Sequence, residues 1–367
     1  MAPAGAIAEA PPTNPVDWNT ARRVAKAMSG KDPLANSYLR DAIDADFALV
    51  TTEAENLVAD FTGLRAPGVA KGGVVDRAGW IDANLVSMRR MLEPFIDRIG
   101  SRVTNTPLAP IGKHAAGAEM GALLGYMSQR VLGQYDLLVP EETDTGDCVY
   151  YVGPNVLQLE QRFAFRPRDF RRWIAIHEIT HRAQFCGVPW LRPYFLSLVE
   201  KTFGMVEPDP RVMLRAIARA AESLSRGKNP FDESGLLGLF ASEEQKSVLD
   251  DVQALMSLLE GHGNYVMNAL GREHVHGVER MERVLQARRA TKGVSGQFQK
   301  MIGIEMKLRQ YALGEAFLNG VVEQAGLSAI DAAWSGPEAL PTMAELNDPP
   351  LWLARMAGTR SPRAKRG

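Results

Sequence analysis

The segment His177-Glu178-Ile179-Thr180-His181 puts two imidazoles four positions apart, with a carboxylate directly after the first. On a helix, residues four apart lie one turn above each other on one face, so both rings can reach a single divalent ion. Histidine pairs of this spacing suit zinc. The intervening glutamate suits general-base work, because it can take a proton from water that the metal acidifies while that water attacks a carbonyl. Ile174, Ile176, Ile179 and Ala183 make nearly every side of this stretch apolar. Two histidines and a carboxylate buried together without a metal would carry a heavy desolvation cost.

A catalytic zinc site needs a third protein ligand and an open position. His114, His262, His274 and His276 are the other histidines, and none follows His181 closely. The richest distant segment runs from Leu258 to Asn268. Leu249, Val252 and Met256 mark the apolar stripe of a long helix, and steps of four from Met256 reach Glu260 and then Asn264. A carboxylate that continues a buried stripe calls for a metal or a cation. Glu260 is therefore the first candidate for the third ligand. His262, about 200° around the helix from it, is the alternative. Gly261 and Gly263 are poor helix formers and suit a place where something approaches the backbone closely. Candidates for orienting the ligands are His262, Asn264 and Arg309. Tyr311, with Tyr265 and Arg309, is a candidate donor to a developing oxyanion.

Helical periodicity recurs at Asp17–Met28, Ser37–Leu57 and Asp82–Ile99. Ala115–Met127 reads as a close-packed core helix, too short and Gly-rich for a membrane span. A Gly-rich stretch, Gly63–Gly73, separates two of these helices. Residues 135–139 and 148–152 read as the strands of a hairpin, the latter ended by Gly153-Pro154-Asn155. Pro167-Arg168-Asp169 opens the motif helix, and Gly187 and Pro189 close it. A helix is expected over Pro210–Ser225, followed by a loop. The run Ser242-Glu243-Glu244-Gln245 has the form of a capping box starting the long helix toward Leu270. Another helix is expected over Ile302–Gln324. The expected organisation is a disordered N-terminus over 1–15, an N-terminal helical region over 16–133, a catalytic region over 134–345 and a tail over 346–367.

Several of these segments resemble the actinobacterial zincin-like family of zinc-dependent metallopeptidases, some of which carry a label tied to deazaflavin-cofactor biosynthesis. They are Tyr150–Asn155, His177–Phe185, Leu259–Met267, Met306–Tyr311 with Gly314–Phe317, and the C-terminal Trp334, Pro337, Glu338, Leu340 and Pro341. The resemblance covers nearly the whole chain. It implies a mainly α, zincin-like fold with a small β element. It also implies that His177, His181 and Glu260 bind zinc, with Glu178 the catalytic glutamate. Asn264 and Asn268 stand where the family pattern carries acidic residues.

The chain has a formal net charge of -1, with 46% hydrophobic and 23% charged residues, so nothing global points to nucleic acid or a membrane surface. There is no Gly-x-Gly-x-x-Gly and no Walker loop, hence no nucleotide or deazaflavin site. Two cysteines, Cys148 and Cys186, are too few for a disulfide framework, which leaves room for a single disulfide; a reducing cytoplasm is the expected compartment. The expected activity is zinc-dependent hydrolysis of peptide or protein substrates. The alternatives are a scaffold with structural or vestigial zinc and a hydrolase of non-peptide amides.

Overall fold

The computed structural model describes residues 14–32, 38–104, 109–137, 148–204, 243–290 and 304–359. The expected helix at Pro210–Ser225, the loop after it and the Ser242 cap lie outside the described residues. So do the first thirteen positions and those from 360 onward.

Helix α1 (Trp18–Met28) begins where the Asp17 carboxylate accepts the Thr20 N–H at 2.9 Å. Helix α2 (Leu39–Thr62) stops at Gly63, which takes the left-handed conformation with φ 71°. Strand β1 (Lys71–Val75), helix α3 (Arg77–Thr104), helix α4 (Ala109–Ser128) and strand β2 (Gly133–Tyr135) follow. Strand β3 (Cys148–Val152) gives way directly to α5 (Gly153–Phe163), so the Gly-Pro-Asn sequence that ends the strand also starts a helix. Then come α6 (Pro167–Gly187), α7 (Leu191–Gly204), α8 (Glu243–His274), α9 (Val278–Ala290) and α10 (Ile304–Ala325). Two short 3-10 runs, α11 (Met343–Asn347) and α12 (Pro349–Thr359) complete the described chain. The fold is mainly α, with one small sheet.

The sheet has three strands in the order β1-β3-β2. The β2–β3 pair is the antiparallel hairpin anticipated from sequence, with its first strand at 133–135 rather than 135–139. Residues 138–147 between its strands lie outside the described residues. β1 is the strand that sequence reading missed, because it lies in the Gly-rich separator and pairs in parallel with β3 from Lys71↔Cys148 to Val75↔Val152. Gly72 lets β1 run flush on α2: a Cβ there would stand 2.7 Å from Thr51 Oγ1. β3 is the central strand. Both its sides are paired, and β1 and β2 are the outer strands.

Helix α6 is enclosed by α2, α8, α5 and the sheet. Ile174, Ile176, Ile179 and Ala183 are all at most 4% exposed. Its buried arginines survive this enclosure because each is paired. Arg171 makes a bidentate pair with buried Glu160, both bonds at 2.8 Å. Arg182 bonds Glu55 and the Pro67 carbonyl, each at 2.7 Å, and Arg172 reaches Glu53. A second, smaller cluster joins α1, α3 and α4 through Trp18, Trp80, Ile81, Leu85 and Leu124. Asn155 ties that unit to the start of α5. Its amide donates to the Ser128 and Val131 carbonyls at 2.8 and 2.6 Å, and its oxygen accepts from buried Arg77 at 2.8 Å. Both cysteines are free thiols. No helix among the described residues is long and apolar enough to cross a membrane.

Candidate metal centre

The regular turn of α6 stacks His177 over His181, with ring centroids 4.6 Å apart and planes at 83°. Their Nε2 atoms face each other at 3.2 Å. Helix α8 crosses α6 and brings Glu260 Oε2 to 3.8 Å from His177 Nε2 and 3.6 Å from His181 Nε2. In a tetrahedral zinc site with bonds of about 2.0–2.1 Å, neighbouring donor atoms stand about 3.3 Å apart. The observed triangle has those edges to within about half an ångström. Two imidazoles and a carboxylate also form a donor set suited to zinc, so the residues fit the ion. Among the described residues this is the group whose ligand atoms could hold a metal. His262 is not part of it.

The stripe argument led to Glu260, but its burial has a broader cause. Leu249, Val252 and Met256 are only half-buried, whereas α8 from Ala254 onward is enclosed on nearly all sides. Close approach to α6 and α10 depends on two glycines, as their composition suggested. A Cβ on Gly263 would stand 3.0 Å from His177 Cε1 and 3.2 Å from His181 Cε1. A Cβ on Gly261 would lie 2.3 Å from the Gly314 carbonyl carbon of α10.

Gln184, one turn beyond His181 on α6, received no role from sequence alone. Its Oε1 lies 2.9 Å from His181 Nδ1, and its Nε2 lies 2.9 Å from His262 Nδ1 and 3.1 Å from the Leu259 carbonyl. The signal was its offset of three from a ligand histidine, which places it on that histidine's face. His262 is 3% exposed and packs edge-on against Trp334. Asn264, 2% exposed, hydrogen-bonds neither imidazole; both its amide atoms are without a partner. Asn268 donates to Glu282 at 3.2 Å. Tyr265 packs beside Phe61. Arg309 and Tyr311 sit on the first turns of α10, and their side chains lie outside the described residues. His114 pairs with Asp17 at 2.6 Å, far along the chain from the centre.

Charge follows this geometry. Burial pushes His181 down, but the hydrogen bond and charge of Glu260, then the charge of Glu178 and the Gln184 bond, lift it to about 9. His262, buried and facing the charge of His181, is pushed down to about 3 and so stays neutral.

Glu178 is 7% exposed and leans on β2. A Cβ on Gly133 would lie 2.6 Å from Glu178 Cγ and 2.7 Å from its Oε1, so only glycine admits this carboxylate. The strand's hydrogen bonds show which way its backbone points. Val152 donates to the Leu132 carbonyl at 2.9 Å and Asp136 to the Cys148 carbonyl at 3.1 Å. The antiparallel alternation then turns the Gly133 N–H and C=O away from β3, toward the outer side of β2. The carboxylate of the motif and the outer side of β2 therefore meet at one residue.

Residues 16–353 match a family described as zincin-like metallopeptidase. The chain belongs to the zincin-like metallopeptidase family. This zincin-like chain also resembles a solved structure from Chloroflexus aurantiacus described as a candidate hydrolase with a novel fold. The two share 32% sequence identity and superpose with a TM-score of 0.70, covering 95% of this chain and 100% of the other. No curated protein matches at comparable stringency. Family membership supports a metallohydrolase and zinc.

Proposed function

We propose that the protein is a zinc-dependent peptidase in which His177, His181 and Glu260 hold the metal and Glu178 is the general base. The observation that carries this reading is the convergence of three ligand atoms, within 4.8 Å of one another, at the helix whose motif carboxylate is pressed against the edge strand β2. A zinc ion bound there supplies Lewis acidity, acidifying water and polarising a carbonyl oxygen. Glu178 takes the proton of the attacking water on a carboxylate oxygen and passes it to the leaving nitrogen as the C–N bond breaks. Its burial excludes bulk water from that proton path. Glu260 contributes negative charge that favours a bound cation. The outer side of β2 favours an extended chain over a compact small molecule, since the Gly133 N–H and C=O point away from β3, the orientation in which a strand pairs with a peptide backbone.

The test uses the purified full-length chain with zinc and a mixture of unstructured peptides of varied sequence, read by mass spectrometry. Cleavage at internal peptide bonds that stops on chelation and returns with zinc is expected. Glu178→Gln is expected to keep zinc and lose turnover by about 10²–10⁴-fold, the usual contribution of a positioned acid–base group. Full turnover in that variant ends the mechanism. Zinc binding with no cleavage of any peptide favours a scaffold role.

A further inference from the structure

We infer that Gln184 is the positioning residue that dictates through which nitrogen His181 offers its lone pair to the metal, and that His262 and the Leu259 carbonyl hold Gln184 in that orientation. The inference rests on reading the centre as a zinc site but not on the nature of the substrate.

The argument starts from an atom with only one possible role. The Leu259 carbonyl oxygen can accept but never donate, and it lies 3.1 Å from one end of the Gln184 amide. That end must be the nitrogen, because an oxygen there would set two acceptors against each other. The same nitrogen lies 2.9 Å from His262 Nδ1, which must then be bare and accept, leaving the His262 proton on Nε2. With its nitrogen so placed, the Gln184 oxygen faces His181 Nδ1 at 2.9 Å and can only accept. His181 must carry a proton on Nδ1. Its Nε2, the atom that faces His177 and Glu260, is then the one available as a ligand.

Burial makes this chain of bonds strict. Gln184 is 0% exposed and His262 3%, so no bulk water can substitute for a missing partner. Trp334 lies against the His262 ring with centroids 5.1 Å apart and limits its rotation. An unconstrained histidine has two tautomers to choose from; here the amide leaves one. His262 thereby acquires a function at the centre without touching the metal.

Two experiments test this. The first needs no variant: nitrogen-15 NMR of the zinc-loaded protein, selectively labelled at its six histidines. It is expected to show His181 bound through Nε2 with a slowly exchanging Nδ1–H, and His262 protonated on Nε2. A His181 coordinated through Nδ1, or a His262 proton on Nδ1, overturns the inference. The second measures zinc affinity by chelator competition alongside melting of the metal-free protein. Gln184→Met keeps the volume and removes the amide; it is expected to weaken zinc binding by about 10–100-fold. His262→Phe leaves Leu259 to hold the amide and is expected to cost less. A purely structural glutamine would instead lower melting of the metal-free protein and leave zinc affinity unchanged. A His262→Phe loss as large as that of Gln184→Met also counts against the relay. Wild-type protein that takes up no zinc removes the metal-site reading and this inference with it. Protein that binds zinc but cleaves no peptide removes only the peptidase.

Discussion

Gly263→Ala separates the stability of the fold from the quality of the metal centre. Gly263 lies inside α8, where alanine is favoured over glycine by about 1 kcal/mol. The added methyl, however, would stand 3.0 Å from His177 Cε1, 3.2 Å from His177 Nδ1 and 3.2 Å from His181 Cε1. Comfortable contacts between such atoms begin at about 3.5 Å, so the rings must yield by a few tenths of an ångström. Zinc ligands tolerate about 0.2 Å of error. The helix gain and the strain are of similar size, so the metal-free protein is expected to melt within a few degrees of wild type. Zinc affinity is expected to fall by about 10–100-fold, which corresponds to about 1.4–2.7 kcal/mol. Melting in excess chelator and competition with a chromophoric chelator measure the two quantities on one sample. Wild-type zinc affinity in the variant would refute the idea that this glycine cradles the imidazoles, as would loss of the metal-free fold.

Three other perturbations have defined outcomes. A Cβ on Gly314 would meet the Ser257 carbonyl and one on Gly261 the Gly314 backbone, so Gly261→Ala and Gly314→Ala each force α8 and α10 apart; a loss of about 1–3 kcal/mol or more in urea unfolding is expected, and unchanged midpoints would contradict the packing. Asn155→Ala strips two carbonyls and buried Arg77 of a partner and is expected to cost about 3 kcal/mol, with a loss under about 1 kcal/mol showing that water replaces the amide. Burial raises the Glu53 carboxyl, but hydrogen bonds from Arg172 and Arg168 and their charges outweigh it and hold the group below its usual range. A depressed folded value means that its contribution is present above the unfolded value and is lost as pH falls through the folded one. The stability gap between wild type and Glu53→Gln is therefore expected to shrink on acidification below about pH 4.5; a gap that stays constant from pH 6 to 3 would show that the pair is not electrostatic.

The chemistry of α6 was legible in the sequence because it is local. Two histidines four apart share a face in any α-helix, and Pro167 and Gly187 bound that helix whatever surrounds it. Glu260 was reachable by the cost of burying a carboxylate, a rule of composition and periodicity, although the true reason for its burial is the near-total enclosure of α8 rather than an apolar stripe. Gly261 and Gly263 announced a close approach without saying to what.

The rest depended on which distant segments meet. Strand β1 exists because Lys71–Val75 finds β3 as a parallel partner, a pairing that a Gly-rich run does not advertise by alternation. Tertiary contact alone placed Gly133 under Glu178 and put β3 at the centre of the sheet. It also made Gln184 rather than Asn264 the amide beside a ligand histidine. A helix repeats every 3.6 residues and can be counted along the chain. The direction of an amide and the free side of a sheet depend on donors and acceptors from other elements, and their positions exist only once those elements are packed.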